Sequence, residues 1–317
     1  MNTINLISYD GDIIGEASGI EGFVHSVFKS AVSLKIENRL LTIIHESAGQ
    51  GPGFILTDNG IDFRTMGFSP GMPALFNMQK KVLKTGVYEF SFQNARAFSS
   101  KADFERLDTI NIESVIKNRE FFKTFCGKTE DRDKYLNSMM SLVSGNLQPG
   151  ETQDSGGSCV LPVWRKHTSG ILDKLSESIQ KRNEDSFSNS IGKLVGLGWG
   201  LTPGGDDFII GMLSASALTA KCRKNADSTG LAAFTEISFK KSLPRFLCKT
   251  GFISGAYLEY ALENRLTKSL TDFIYELFTG DLASNPGSVV KLRERGATSG
   301  LDMMAGVIFV SMLFFPS

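Results

Sequence analysis

Short runs in which apolar residues alternate with polar ones, or cluster briefly, fill the first part of the chain. They cover Phe23–Phe28, Val32–Ile36, Leu40–Ile44, Phe54–Leu56, Met66–Phe68 and Val87–Phe92, and Gly, Asn, Asp and Pro separate them. Period-two runs bounded by turn formers predict strands. Leu34–Ile44 reads as a hairpin with its turn near Glu37–Arg39, and Gly49–Gly53 and Ser69–Pro73 read as further turns. Many short strands with close turns point to a small barrel or sandwich.

From Ile112 onward the spacing becomes helical. Apolar residues recur three or four positions apart over Val115–Phe125, Asp133–Val143, Ile171–Gln180 and Ser186–Val195. The same holds for Asp207–Lys221, Ala232–Leu247, Ile253–Glu263, Leu270–Thr279 and Asp302–Phe314. Gln148–Ser158 is polar and glycine-rich, a loop or lid. The predicted class is α+β, with a β-rich barrel- or sandwich-like part over 1–112 and a mainly helical part over 113–317. The most apolar stretch, Met303–Phe315, is too short to span a bilayer as a helix and is interrupted by Gly306, so it reads as a core helix.

Composition narrows the function classes. Lys+Arg and Asp+Glu are equal at 34 each, leaving no bulk field for nucleic acid or anionic membrane. An anion must therefore be caught locally. Four cysteines (Cys126, Cys159, Cys222, Cys248) are too widely spaced for a C-x-x-C element, and three histidines (His25, His45, His167) are equally scattered. These are expected to be reduced, buried thiols in a cytoplasmic protein. The amino terminus has no basic segment followed by an apolar run, so no signal peptide is expected.

Two glycine-rich loops, each opening a helix, carry the candidate chemistry. The first, Gly196–Asp207, places Gly196, Gly198, Gly200, Gly204 and Gly205 within ten positions. Ordering so many glycines is entropically costly, which argues for a ligand-binding purpose. Glycines let backbone N–H groups converge on an anion at a helix start, and Thr202 adds a hydroxyl. It is not a nucleotide phosphate loop, because no Gly-Lys-Ser/Thr follows. The second, Arg295–Asp302, repeats its grammar: Gly205-x-Asp207-x-x-x-Gly211 against Gly300-x-Asp302-x-x-x-Gly306, with Thr202 or Thr298 upstream. The glycine one turn beyond each acid lies on the same helix face and permits a close approach. Both loops are expected to bound one cleft. The plainer alternative, that Asp206 or Asp207 caps the helix, stays open.

Taken together, the loops resemble a known family. Gly196–Asp207, read as Gly-Leu-Gly-x-Gly-Leu-Thr-Pro-x-Gly-Asp-Asp, looks like the signature of the family that includes the H subunit of oxamate carbamoyltransferase. Thr298–Gly306 resembles its carboxy-terminal motif, and His25–Phe28 its amino-terminal one. The resemblance spans essentially the whole chain. This chain departs from the pattern with Trp199, where a smaller residue or proline is expected, and Gly204, where serine is common.

The resemblance implies a part in interconverting oxalurate plus phosphate with oxamate plus carbamoyl phosphate, alongside partner subunits. Such chemistry needs donors for phosphate and for the carbamoyl oxygen, and a cation for a small carboxylate. The residues available are Gly198, Gly200, Thr202, Gly204, Gly205, Asp206, Thr298, Ser299 and Gly300, with Arg295 as the cation. Arg295 could equally be a basic residue near a helix end that Gly296 stops. Asp207 and Asp302 are the catalytic candidates, as general base, loop orienters or ligands of Mg²⁺, which is the one cofactor left open. His25 and Ser26 are candidate cleft-lining residues, and Trp164–His167 an exposed helix approach. A non-catalytic metabolite-binding or scaffolding subunit is the alternative, as is a related enzyme on another small carboxylate.

Overall fold

Glu37 turns the chain through the left-handed region (φ 54°) between β4 (Ala31–Ile36) and β5 (Arg39–His45), which pair antiparallel in the expected hairpin. The computed structural model describes residues 2–16, 21–77, 79–104, 110–127, 138–143, 163–222 and 226–316. The expected lid Gln148–Ser158 lies outside these, as do residues 133–137 and Cys159.

The chain divides into two units, Met1–Ala102 with Arg265–Ser269, and Asp103–Asn264 with Leu270–Ser317. The first is one curled ten-stranded sheet, a half-barrel. Besides β4 and β5 it holds β1 (Asn2–Asn5), β2 (Ser8–Asp10), β3 (Glu21–Val27), β6 (Phe54–Thr57), β7 (Pro73–Asn77), β8 (Val82–Thr85), β9 (Tyr88–Ser91) and β10 (Arg96–Phe98). The strand order is β1-β9-β8-β7-β3-β4-β5-β6-β2-β10. Central β4 is buried on both faces except at Lys35, so Ser33 is enclosed along with the alternating Val32, Leu34 and Ile36. A six-residue helix α1 (Gly11–Glu16) follows β2. Met66–Phe68, expected as a strand, instead closes a 3-10 turn over Phe63–Thr65, where Asp62 accepts the Arg64 N–H. A local cap overrode the apolar pattern.

The second unit is helical: α2 (Ile112–Gly127), α3 (Met140–Val143), α4 (Val163–Gln180), α5 (Glu184–Leu194), α6 (Gly204–Lys221), α7 (Ala226–Ser242), α8 (Phe252–Leu262), α9 (Lys268–Thr279), α10 (Gly287–Arg293) and α11 (Ser299–Phe314). The helix expected to reach Leu247 ends at Ser242, because Pro244 turns the chain into a 3-10 segment. Helices α6 and α11 form the core of this unit, and α6 is buried continuously from Gly205 to Thr219. Buried hydroxyls of these helices bond backward along the chain at Ser214 (to Ile210 O, 2.7 Å), Thr219 and Ser311, whereas Ser216 has no partner among the described residues. Arg119 of α2 donates to Ser311 O and Phe315 O, neutralising the carboxy-terminal end of α11. Among the described residues no helix is long and apolar enough to cross a membrane. Neither Cys222 nor Cys248 is in a disulfide; Cys222 is buried, whereas Cys248 is exposed, against expectation.

Candidate functional site

The sequence grammar shared by the two loops is a structural duplication. After α5, the Leu197 N–H bonds Leu194 O at 2.9 Å, and after α10 the Arg295 N–H bonds Leu292 O at 3.1 Å. The Gly205 N–H returns to Leu197 O and the Gly300 N–H to Arg295 O, at 2.8 and 3.1 Å. Each next helix then starts alike, with Asp207 N–H on Pro203 O and Asp302 N–H on Thr298 O. The first loop is the longer version, carrying Gly198, Trp199, Gly200 and Leu201 outward.

Glycines set how closely these elements meet. A Cβ on Gly211 would stand 2.0 Å from Met303 O, and one on Gly306 would stand 2.0 Å from Phe208 O. The two contacts are reciprocal, since Met303 and Phe208 each lie three residues before the partner glycine. Side chains at either position would force α6 and α11 apart, so the crossing exists only with glycine. Gly205 and Gly300 do the same one level down, with a Cβ 2.1 Å from Leu194 O and 1.7 Å from Leu292 O. Their N–H groups are also taken. Expected as ligand donors, both are packing positions instead.

This crossing brings the two acids together. Pro203 and Thr298 are the N-caps, without side-chain capping bonds, so Asp207 and Asp302 stand in the first turn and cap nothing. Both are about 1% exposed. Neither oxygen of Asp207 has a hydrogen-bond partner, nor does Asp302 Oδ2, while Asp302 Oδ1 accepts the Met139 N–H at 2.6 Å. Burial and then the neighbouring Asp302 charge push the Asp207 carboxyl well above the usual range, with Ser299, Arg295 and Thr202 pulling the other way. Burial lifts Asp302 to about 6, against the Met139 N–H and the Thr298 hydroxyl. Two carboxyls so placed cannot both ionise cheaply, and they titrate as a pair that holds a proton. The Thr202 and Ser299 hydroxyls bond each other across the loops at 2.9 Å, near Asp207 but not in hydrogen-bond geometry with it.

The remaining expected residues fall into three groups. Gly204 lines the pair, for a Cβ there would lie 3.1 Å from Asp302 Oδ2. Gly198 (φ 124°) and Gly200 (φ 93°) hold the loop tip in conformations closed to other residues, beside Trp199, which is 77% exposed. The N–H groups of Gly198, Gly200, Leu201, Thr202 and Gly204 take no acceptor among the described residues. Arg295 is half-buried near Asp207. Asp206, expected to touch substrate, is turned into the scaffold. It accepts Gly196 N–H at 2.8 Å, the Ser254 hydroxyl at 2.7 Å and the Thr250 hydroxyl, tying loop to α8.

His25 and Ser26 belong to the other unit, on β3 where its register with β4 shifts, with His25 Nδ1 3.3 Å from Ser26 Oγ. Lys166 and His167 are exposed on α4. Sequence reasoning missed Met139, whose contribution is a backbone N–H and leaves no side-chain signal. Among the described residues, no third His, Cys, Asp or Glu joins the acid pair. Mg²⁺ there would take its remaining oxygens from hydroxyls, water or substrate.

The helical unit is thus built on a duplicated helix–loop–helix whose second helices cross at their acid-bearing starts. No solved structure matches the chain. Residues 194–311, which span both loops and the starts of the helices that follow them, match the model of the oxamate carbamoyltransferase subunit AllH. Residues 3–97 match the AllH family N-terminal domain, and the chain belongs to this family.

Proposed function

We propose that this protein is a cytoplasmic subunit of an oxamate carbamoyltransferase-like enzyme, acting with partner subunits to interconvert oxalurate plus phosphate and oxamate plus carbamoyl phosphate. The observation that carries the reading is the crossing of α6 and α11. It sets a buried, proton-holding acid pair below a loop whose amides are open. Open amides of Gly198–Gly204 at a helix start suit phosphate or a small carboxylate. In the phosphorolytic direction, a hydrogen phosphate oxygen bonds the carbamoyl carbon and gives up its proton to the ionised member of the pair, the carbon–nitrogen bond breaks, and the departing amide nitrogen takes a proton. A carboxyl still protonated near neutrality can supply that proton, and in reverse its carboxylate can take it back. Arg295 supplies positive charge for the substrate carboxylate.

The test is phosphate-dependent cleavage of oxalurate by the assembled complex. Asp207→Asn keeps the shape and removes the proton, so activity should fall about a hundredfold or more. Gly204→Ala has ordinary backbone angles and puts a methyl against Asp302 Oδ2, so it should depress activity in a folded protein. Wild-type rates in both folded variants would remove the acid pair from the chemistry. Gly205→Ala is not a clean probe, because its methyl collides with Leu194 O.

A further inference from the structure

The Asp207 and Asp302 carboxyls lie beside each other, and three of their four oxygens are buried without a hydrogen-bond partner. Folded proteins leave few buried polar atoms unsatisfied, so three on two neighbouring side chains mark a place short of donors. Hydrogen phosphate offers that place mostly acceptors and charge of the wrong sign, whereas amide and ammonium groups offer N–H. Among the described residues the donor with a resolved hydrogen bond there is an amide N–H, that of Met139 on Asp302 Oδ1 at 2.6 Å, with the Thr298, Thr202 and Ser299 hydroxyls close by. It is delivered by a buried stretch, Ser138–Ser141, at the start of α3. The residues around the acids include the small or hydroxylic Gly204, Thr202 and Ser299, and Arg295 near Asp207, all half-buried.

We propose that the Asp207–Asp302 pair receives the N–H-bearing end of a small ligand, a carboxamide or ammonium group, and that the Met139 amide holds part of that place in the free chain. A carboxamide NH₂ donates two hydrogen bonds, and a carboxyl that retains its proton donates one to the amide carbonyl. The anionic end of the same ligand then lies toward the open amides of the first loop. Only the choice of carboxamide rests on the carbamoyl-transfer reading.

The experiment titrates the full chain, alone and assembled with its partner subunits, with oxamate, oxalate, inorganic phosphate and Mg²⁺. Calorimetry follows binding and hydrogen exchange follows the Met139 amide. Oxamate should bind at least about tenfold tighter than oxalate, which lacks N–H, and should speed Met139 exchange in one of the two forms. Asp302→Asn retains an acceptor for Met139 but replaces a carboxyl oxygen by a donor, and should weaken oxamate about tenfold. Gly204→Ala should do the same by occupying the space. Oxalate or phosphate matching oxamate at both readouts overturns the proposal. So does silence from every probe in both forms, and Mg²⁺ alone releasing Met139 gives the pair to a cation instead. Oxamate bound at the pair without carbamoyl transfer would sink the proposed reaction and leave this site standing. Carbamoyl transfer with oxamate binding indifferent to Asp302→Asn would do the reverse.

Discussion

Asp302 shows how far burial alone moves a carboxyl, and the direction has a consequence for stability. Its pKa rises from 3.8 unfolded to about 6 folded, so between those values the folded chain binds the proton that the unfolded chain has released. Stability from this group is therefore full below about pH 4 and is lost as pH rises through about 6. The shift corresponds to a cost at neutral pH on the order of 3 kcal/mol. Asp302→Asn avoids that cost and leaves a carbonyl oxygen for the Met139 N–H. It should raise the melting temperature at pH 7–8, with the advantage closing below about pH 4. A variant less stable than wild type at pH 8 would mean that the acid is satisfied in the fold. Retaining a costly acid where an amide would fit better is what a catalytic or binding role demands.

Glycine substitutions separate the demands of the elements. Gly211→Ala or Gly306→Ala drives a methyl into a carbonyl of the crossing helix, and should cost about 3 kcal/mol in urea denaturation. Gly170→Ala, within α4 with nothing near its Cβ, should stabilise by about 1 kcal/mol. Equal effects would deny that the crossing depends on its glycines. The repeat that contains them was legible in the sequence because each copy spaces glycine, acid and glycine alike. The hairpin at Glu37 and most helices were legible from periodicity for the same local reason. β1, β2, β7, β8 and β10 were not, since strands of three to five residues show too little alternation to stand out. Within the site, the juxtaposition of Asp207 and Asp302 could be inferred from the repeat. The different fates of Asp206 and Asp207 could not, because only the fold decides which of two adjacent acids meets Thr250 and Ser254.

At the scale of the molecule, the two family models fall on different units, yet the first unit is completed from far along the chain. Arg265–Ser269 returns to it: Arg265 bridges Lys101 and meets Asp12 at 3.1 Å, and the Leu266 N–H donates to Ser100 O. The Lys268 N–H donates to Gln50 O at 2.9 Å, in the turn that precedes β6. Lys268 is also the first residue of α9, where proline fits without harming the helix. Lys268→Pro thus deletes this bond of the strap, and the lysine side chain with it. At a helix start with no such bond, proline would stabilise by about 0.4–1 kcal/mol through the unfolded chain. Here the lost bond leaves Gln50 O without its donor and costs about 1 kcal/mol or more. The net change should therefore be zero or a loss in chemical denaturation, accompanied by faster amide exchange around Gln50 and β6. A clear gain in stability with unchanged exchange would show that the sheet unit stands without its strap.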